Sequence, residues 1–279
     1  MIADLDGNTA RPELAAAAHL ARRAKREAPV RYSFISRETP EQPAPPVIRL
    51  LRGGAGGRGS AGGGVRIGLY LSLLWVVHDD PTLTFPARAW AELLGLDQPA
   101  TAGARRIKNA LRWLDANQFI DLESARGHDA IVHLLEDSGS GRRYELPGAT
   151  YTRLRRSKPA AADAHRYIQL PRELWTNGWI GALSGPALTM LLVLWLETGK
   201  TIKHPDPKWV WLSPSMAHDR YGLSEETRLK GAQELTRLHL IRTSQRAVPP
   251  DAFQFRRGRN SHQVQQQVLV GQQPGTAPA

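Results

Sequence analysis

Lys230, Gln233 and Arg237, with Glu226 a turn earlier, recur at helical spacing along one side of the segment from Glu225 to His239. Arg228, Gly231, Ala232, Leu235 and His239 fall on the other side. Arg105, Asn109 and Arg112, flanked by Arg106 and Lys108, repeat the arrangement opposite Ile107, Ala110, Leu111 and Leu114. Amide, guanidinium and ammonium groups on the outside of a helix match the hydrogen-bonding groups that base edges present in a DNA major groove. The small, apolar side beneath suits a helix held from behind. A third cationic group, Arg256, Arg257 and Arg259, lies in a loop and suits phosphate oxygens.

Residues for other chemistry do not assemble. The nine histidines are scattered, and only His128, Asp129 and His133 come close together, on an expected hairpin. No His-x-x-x-His pair with an adjacent carboxylate, no Gly-x-Ser-x-Gly elbow and no cysteine nucleophile occurs. The glycine-rich stretch 53–64 lacks the Lys-Ser/Thr pair of a phosphate loop, and Gly199-Lys200-Thr201 lacks that motif's first glycine, Leu194 standing in its place. A flexible insertion is the better reading of 53–64. The chain is expected not to be an enzyme and to need no cofactor or metal.

The elements that would carry the cationic helices can be read from their ends. Ser213 caps a short helix with Pro214 in its first turn, Gly222 ends it, and Ser224 caps the helix from Glu225. Leu240 to Thr243 is a short strand, and a second strand follows from about His262 after the arginine loop. Helix, turn, helix and basic hairpin describe a winged helix. Earlier, Leu69 to His78 reads as an apolar helix, Thr84 caps a second that Gly95 ends, and residues 102–116 form a third. Phe119 to Leu122 and Ala130 to Leu135 then pair as strands. Leu94-Gly95-Leu96 parallels Tyr221-Gly222-Leu223, and Leu114-…-Phe119-Ile120 parallels Leu235-…-Leu240-Ile241, so the pattern is a tandem repeat. Ser184 caps the helix from Pro186 to Thr198, expected as the innermost element, with Trp175, Trp179 and Trp195 as core residues.

The fold class expected is therefore α+β, mainly α, with two tandem winged-helix domains. A flexible basic arm is expected at 1–45, a first domain at 46–138 with its insertion at 53–64, and a basic linker at 139–166. The second domain would span 167–270, and 271–279 would be a disordered tail. Pro46 to Leu51 reads as a strand. The arm, helical from Arg11 to Glu27, is either a phosphate-touching segment or a fraying helix, and the linker either tracks a backbone or is merely solvated. A net charge of +11 over 279 residues favours a polyanionic partner. The absence of cysteine excludes disulfides and thiolate metal sites. The acidic N-terminus does not resemble a signal peptide, and the most apolar run, Ala187 to Leu196, is far short of the ~20 residues a membrane helix needs. No membrane partner and a cytoplasmic, nucleoid-associated location are expected.

Tyr167 through Asn260 resembles the winged-helix domains of plasmid replication initiators and of related actinobacterial mobile-element regulators. The resemblance lies in Ile168-Gln169-Leu170-Pro171, Leu183-Ser184-Gly185-Pro186-Ala187, the Tyr221-Gly222-Leu223-Ser224 turn with Thr227-Arg228, and the Arg256-Arg257-Gly258-Arg259-Asn260 loop. It implies sequence-specific binding of double-stranded DNA, in initiation or transcription, with a homodimer possible. The family's reading helix would be Glu225 to Arg237, including Thr227 and Arg228, and its wing would carry Arg256, Arg257 and Arg259. The alternative is a winged-helix scaffold for protein interaction or dimerisation without direct DNA readout. Binding to RNA or single strands is disfavoured because the aromatics fall at core positions.

Overall fold

A helix apolar on every side has to be enclosed, and the sequence holds two such stretches, Ile67 to Val77 and Ala187 to Leu196. The computed structural model describes residues 11–53, 62–125, 128–199, 208–247 and 258–276 and is built around both. The described residues begin with α1 (Pro12–Ala21), β1 (Glu27–Arg31), α2 (Tyr32–Ile35) and α3 (Pro46–Arg52). The first apolar stretch is α4 (Gly63–Val76), followed by β2 (Thr82–Thr84), α5 (Ala87–Leu93), a π-helical turn at Pro99–Gly103 and α6 (Ala104–Ala116). β3 (Ile120–Glu123), β4 (Ile131–Leu134), α7 (Pro147–Ser157), α8 (Pro159–Asp163) and β5 (Tyr167–Pro171) come next. After α9 (Glu173–Thr176) and α10 (Trp179–Ala182), the second apolar stretch is α11 (Gly185–Thr198). α12 (Pro214–Asp219), α13 (Glu225–Arg237), β6 (Ile241–Ala247), β7 (Gly258–Val264) and α14 (Gln266–Gly271) complete the described elements. The fold is α+β and mainly helical, with small antiparallel sheets.

Two units repeat the order helix, extended segment, helix, helix, hairpin. In the first, the sheet runs β2-β4-β3, with Leu83 opposite Val132 and Ile120 opposite Leu134. In the second, β6 pairs with β7 from Ile241↔Val264 to Ala247↔Gly258, and Val210 bridges His262. Val210 thus takes the place that β2 has in the first unit. Ser184, Ser213 and Ser224 cap α11, α12 and α13 as the sequence indicates, and Gly222 is left-handed at φ 62°. Thr84 does not cap: it ends β2, and α5 starts after Pro86 without a side-chain cap.

The units are not separate bodies. The buried apolar residues of both belong to one cluster, and α4 packs against α11. The two helices touch through backbone: a Cβ on Gly64 would sit 3.1 Å from the nitrogen of Gly185, and one on Gly185 would sit 3.0 Å from that of Gly64. At the far end of α4, Trp75 stacks on Trp175 at 4.7 Å, and Trp175 donates to Ser72 Oγ at 3.0 Å. Trp175, Trp179 and Trp195 are all core residues. Gly62, Gly63 and Gly64 therefore lead into a packed helix, whereas residues 54–61 of the expected insertion lie outside the described residues, as do Lys200 and Thr201.

The N-terminal segment is not the flexible arm expected for 1–45. In its described part Ala17, Leu20, Val30, Phe34 and Ile35 are buried, and β1 pairs with β5 from Glu27↔Pro171 to Arg31↔Tyr167. The partner strand is remote in sequence, so local pattern does not reveal the pairing. Pro46 to Leu51 is helical rather than extended: Pro46 starts α3, Gly53 ends it at φ 76°, and Val47, Ile48, Leu50 and Leu51 are all buried. Burial overrides the strand preference of Val47 and Ile48. The expected linker holds α7, which packs on β1, and α8, although Arg153, Arg155, Arg156 and Lys158 stay exposed. The described part of the expected tail packs as well, with Trp179 Nε1 donating to Gln272 O at 3.1 Å. No described helix is long and apolar enough to cross a membrane.

One buried ion pair fastens these additions. Arg31 and Asp137 are 1% and 0% exposed. The Arg31 guanidinium donates to Asp137 Oδ1, its backbone N–H to Asp137 Oδ2 at 2.9 Å, and its Nη2 to Glu145 O at 2.7 Å. Burial pushes the Asp137 carboxyl above its ordinary range against the pull of Arg31. Arg31→Met should cost about 3–5 kcal/mol in chemical denaturation, because the buried carboxylate is left without its compensating charge. Adding Asp137→Leu should restore most of that stability.

Lys25 carries the opposite imbalance. Its Nζ is buried without a hydrogen-bond partner, and burial, opposed by Asp79, lowers its pKa to about 8. A base whose folded pKa is depressed costs stability below that value, and the cost fades as pH rises toward 10.5, the value of the unfolded lysine. Lys25→Met should raise the Tm near neutral pH, with a gain that shrinks in melts at progressively alkaline pH.

Candidate nucleic-acid interface

On α6, Ile107, Ala110, Leu111 and Leu114 are buried, and Arg105, Arg106, Lys108, Asn109 and Arg112 are exposed. The inward residues recur every three or four positions, which fixes the cationic side outward. Arg112 Nη1 donates to Asn109 Oδ1 at 3.2 Å. Among the described residues, no carboxylate lies within ion-pair distance of Arg105, Arg106, Lys108 or Arg112. The helix's own acid, Asp115, is turned away and accepts from Leu122 N–H at 3.1 Å. Arg106 borders a cleft of about 280 Å³ that also meets Gly64, Ser184, Gly185 and Pro186, where the first turns of α4 and α11 meet.

The same crossing seats α13. Gly231 lies on α11 so closely that a Cβ would fall 2.5 Å from Pro186 O and 2.8 Å from Met190 Cβ. Glu234 accepts from Ser184 N–H at 2.8 Å and from its hydroxyl. Gln233 and Arg237 point into solvent, but Lys230 Nζ is 2.7 Å from Glu226 Oε1. The hydrogen bond and charge of Lys230 hold the Glu226 carboxyl below its ordinary pKa. Thr227 is spent on the cap, its N–H and hydroxyl meeting Ser224 Oγ at 3.2 and 2.8 Å. Arg228 is not on the outer face: its Nη1 donates to Leu212 O at 3.3 Å, partly buried, as its place on the inward stripe implies. The outward crest also holds Leu229, 46% exposed and four positions before Gln233. Spacing alone marks that position as outward, whereas an apolar side chain by its chemistry belongs in a core.

At the end of α13, Thr236 and Thr243 share a hydroxyl contact at 3.2 Å, and Thr243 meets His262 Nδ1 at 3.0 Å, tying the helix end to the hairpin. Burial, with Arg228 nearby, lowers the His262 pKa. Arg259 is exposed and lies 4.0 Å over the ring of Trp211, itself 40% exposed. Arg256 and Arg257 lie outside the described residues. His133 sits between Thr82 Oγ1 and Glu123 Oε1, each at 3.1 Å, as an ordinary strand residue. Among the described residues no group of His, Asp and Glu is placed to hold a metal ion.

Together these positions make one cationic outer helix, one helix of balanced charge and a hairpin, all hung from the α4–α11 crossing. Gly231→Val tests the seating of α13: forced against Pro186 and Met190, it should cost about 1–3 kcal/mol in denaturation and leave far-UV helicity nearly intact. Searches of family models, curated proteins and solved structures return no match to this chain.

Proposed function

We propose that both units are winged helices and that the protein binds double-stranded DNA sequence-specifically, with α6 as its main cationic contact. The observation that carries this reading is the outer face of α6. Arg105, Arg106, Lys108 and Arg112 stand in solvent without a carboxylate partner among the described residues, beside the amide of Asn109. Exposed unpaired cations on one helix repel one another and give nothing to stability. Opposite a phosphate backbone they release counterions, and Asn109 can reach a base edge. The sheet order β2-β4-β3 behind α6 and the net charge of +11 support the same reading.

In the second unit, Gln233 and Arg237 would face bases or adjacent phosphates, with Lys230 competing between DNA and Glu226. The hairpin, through Arg259 and, by sequence, Arg256 and Arg257, would hold the flanking backbone. A role in replication initiation or in transcriptional regulation follows from the resemblance alone. The scaffold reading draws on α13, whose outer charges cancel.

The test is a gel-shift series at rising salt, on duplexes selected from a random pool and on random duplex, with sedimentation alongside. Arg105→Ala with Arg112→Ala should weaken binding to both and make the salt dependence shallower, by roughly 0.9 in log–log slope for each phosphate no longer neutralised. Gln233→Ala should leave the slope unchanged and cost about 1–3 kcal/mol of preference for the selected site. Self-association without salt-dependent duplex binding would establish the scaffold instead.

A further inference from the structure

We propose that Leu229 reads the 5-methyl group of a thymine in the major groove, beside an adenine held by Gln233, so that α13 selects A·T-containing sequence. The proposal rests on the duplex-DNA reading above and adds a division of labour between the two outer helices.

Its starting point is the unlike character of those helices. The outer face of α6 presents cations with no carboxylate partner among the described residues, its Asp115 accepting from Leu122 N–H. α13 presents Glu225 and Glu226 against Lys230 and Arg237, and the Glu226–Lys230 ion pair at 2.7 Å closes one flank. A face of balanced charge gains little from phosphate, and Glu226 opposes close approach of a backbone on that flank. What remains at the crest is an apolar group and an amide, Leu229 and Gln233, adjacent on the surface because they are four residues apart.

An isolated surface leucine is usually of no consequence. Leu229 differs in placement and company. Among the described residues the large apolar side chains left exposed are Trp211, Leu229 and Val270, and Trp211 is covered by the Arg259 guanidinium at 4.0 Å. Leu229 has no such cover. It is not a displaced core residue either, since Gly231 and Leu235 already fill the contact with the body of the protein. Its solvent-facing surface stands on the outer face of α13, beside the exposed Gln233.

In that groove, thymine alone among the four bases carries a methyl group, and apolar side chains meet it. A glutamine amide pairs with N6 and N7 of adenine. A rise of about 6 Å, four residues at about 1.5 Å each, separates Leu229 from Gln233 and spans between one and two base-pair steps of about 3.4 Å. The two side chains therefore address neighbouring base pairs.

The experiment uses the full-length protein and a duplex it selects from a random pool. Each thymine is replaced in turn by deoxyuridine, which removes the methyl group and nothing else. The expected result is a position in the site where uracil weakens wild-type binding about fourfold, the worth of one methyl group withdrawn from water. There Leu229→Ala binds the thymine and uracil duplexes alike with the wild-type salt slope, while Leu229→Met keeps the methyl preference. The proposal is overturned if the wild type ignores every such replacement, or if Leu229→Ala retains the full methyl preference. It is also overturned if Leu229→Ala changes the sedimenting species, which would assign the leucine to a protein contact. Failure to select any duplex would remove the DNA reading itself, an outcome distinct from binding that is blind to the methyl group.

Discussion

The arrangement depends on backbone contact between two helices that have no polar side. Gly64 and Gly185 let the first turns of α4 and α11 meet backbone to backbone, at separations a methyl group on either would crowd. From that crossing outward each element takes its place. Arg106 of α6 borders the cleft beside it, and α13 lies with Gly231 on Pro186 and Met190. Apolar helices are normally fixed by interlocking side chains; here closeness of main chain sets the angle and distance of approach, and side-chain packing fills what is left.

The N-terminal segment solves a different problem. β1 and β5 form a sheet of only two strands, which is marginal by itself. Arg31 adds a buried charge pair to Asp137 and hydrogen bonds that reach Glu145, so strand, post-hairpin segment and the approach to α7 are held at one point. Such a pair gains little net energy against an apolar replacement, but breaking it from one side is costly. Its effect is to make the segment inseparable from the first unit.

What the chain discloses before folding is local. Ser184, Ser213, Ser224 and Gly222 mark their helix ends because capping needs a hydroxyl or a left-handed residue within a few positions. The outer and inner sides of α6 follow from the spacing of Ile107, Ala110, Leu111 and Leu114 alone. What stays hidden is non-local or a matter of degree. β1 meets a partner about half the chain away, and α3 is helical with its Val and Ile buried. Gly63 and Gly64 read as slack in the sequence, yet Leu51 and Gly185 lie directly against them. Within the candidate site, Arg228 faces the carbonyl of Leu212, consistent with the inward stripe on which its spacing puts it, whereas the exposure of Leu229 runs against its chemistry.

The common core has a mechanical consequence. Tandem modules on a slack tether can each settle on their own stretch of a ligand, and the tether absorbs any mismatch of span or phase. Here a single apolar interior runs through both units, so α6 and α13 are carried on one body. On the proposed reading, a duplex gripped by both helices would have to supply the compliance itself, and its stiffness, step by step, would enter the selection of the site.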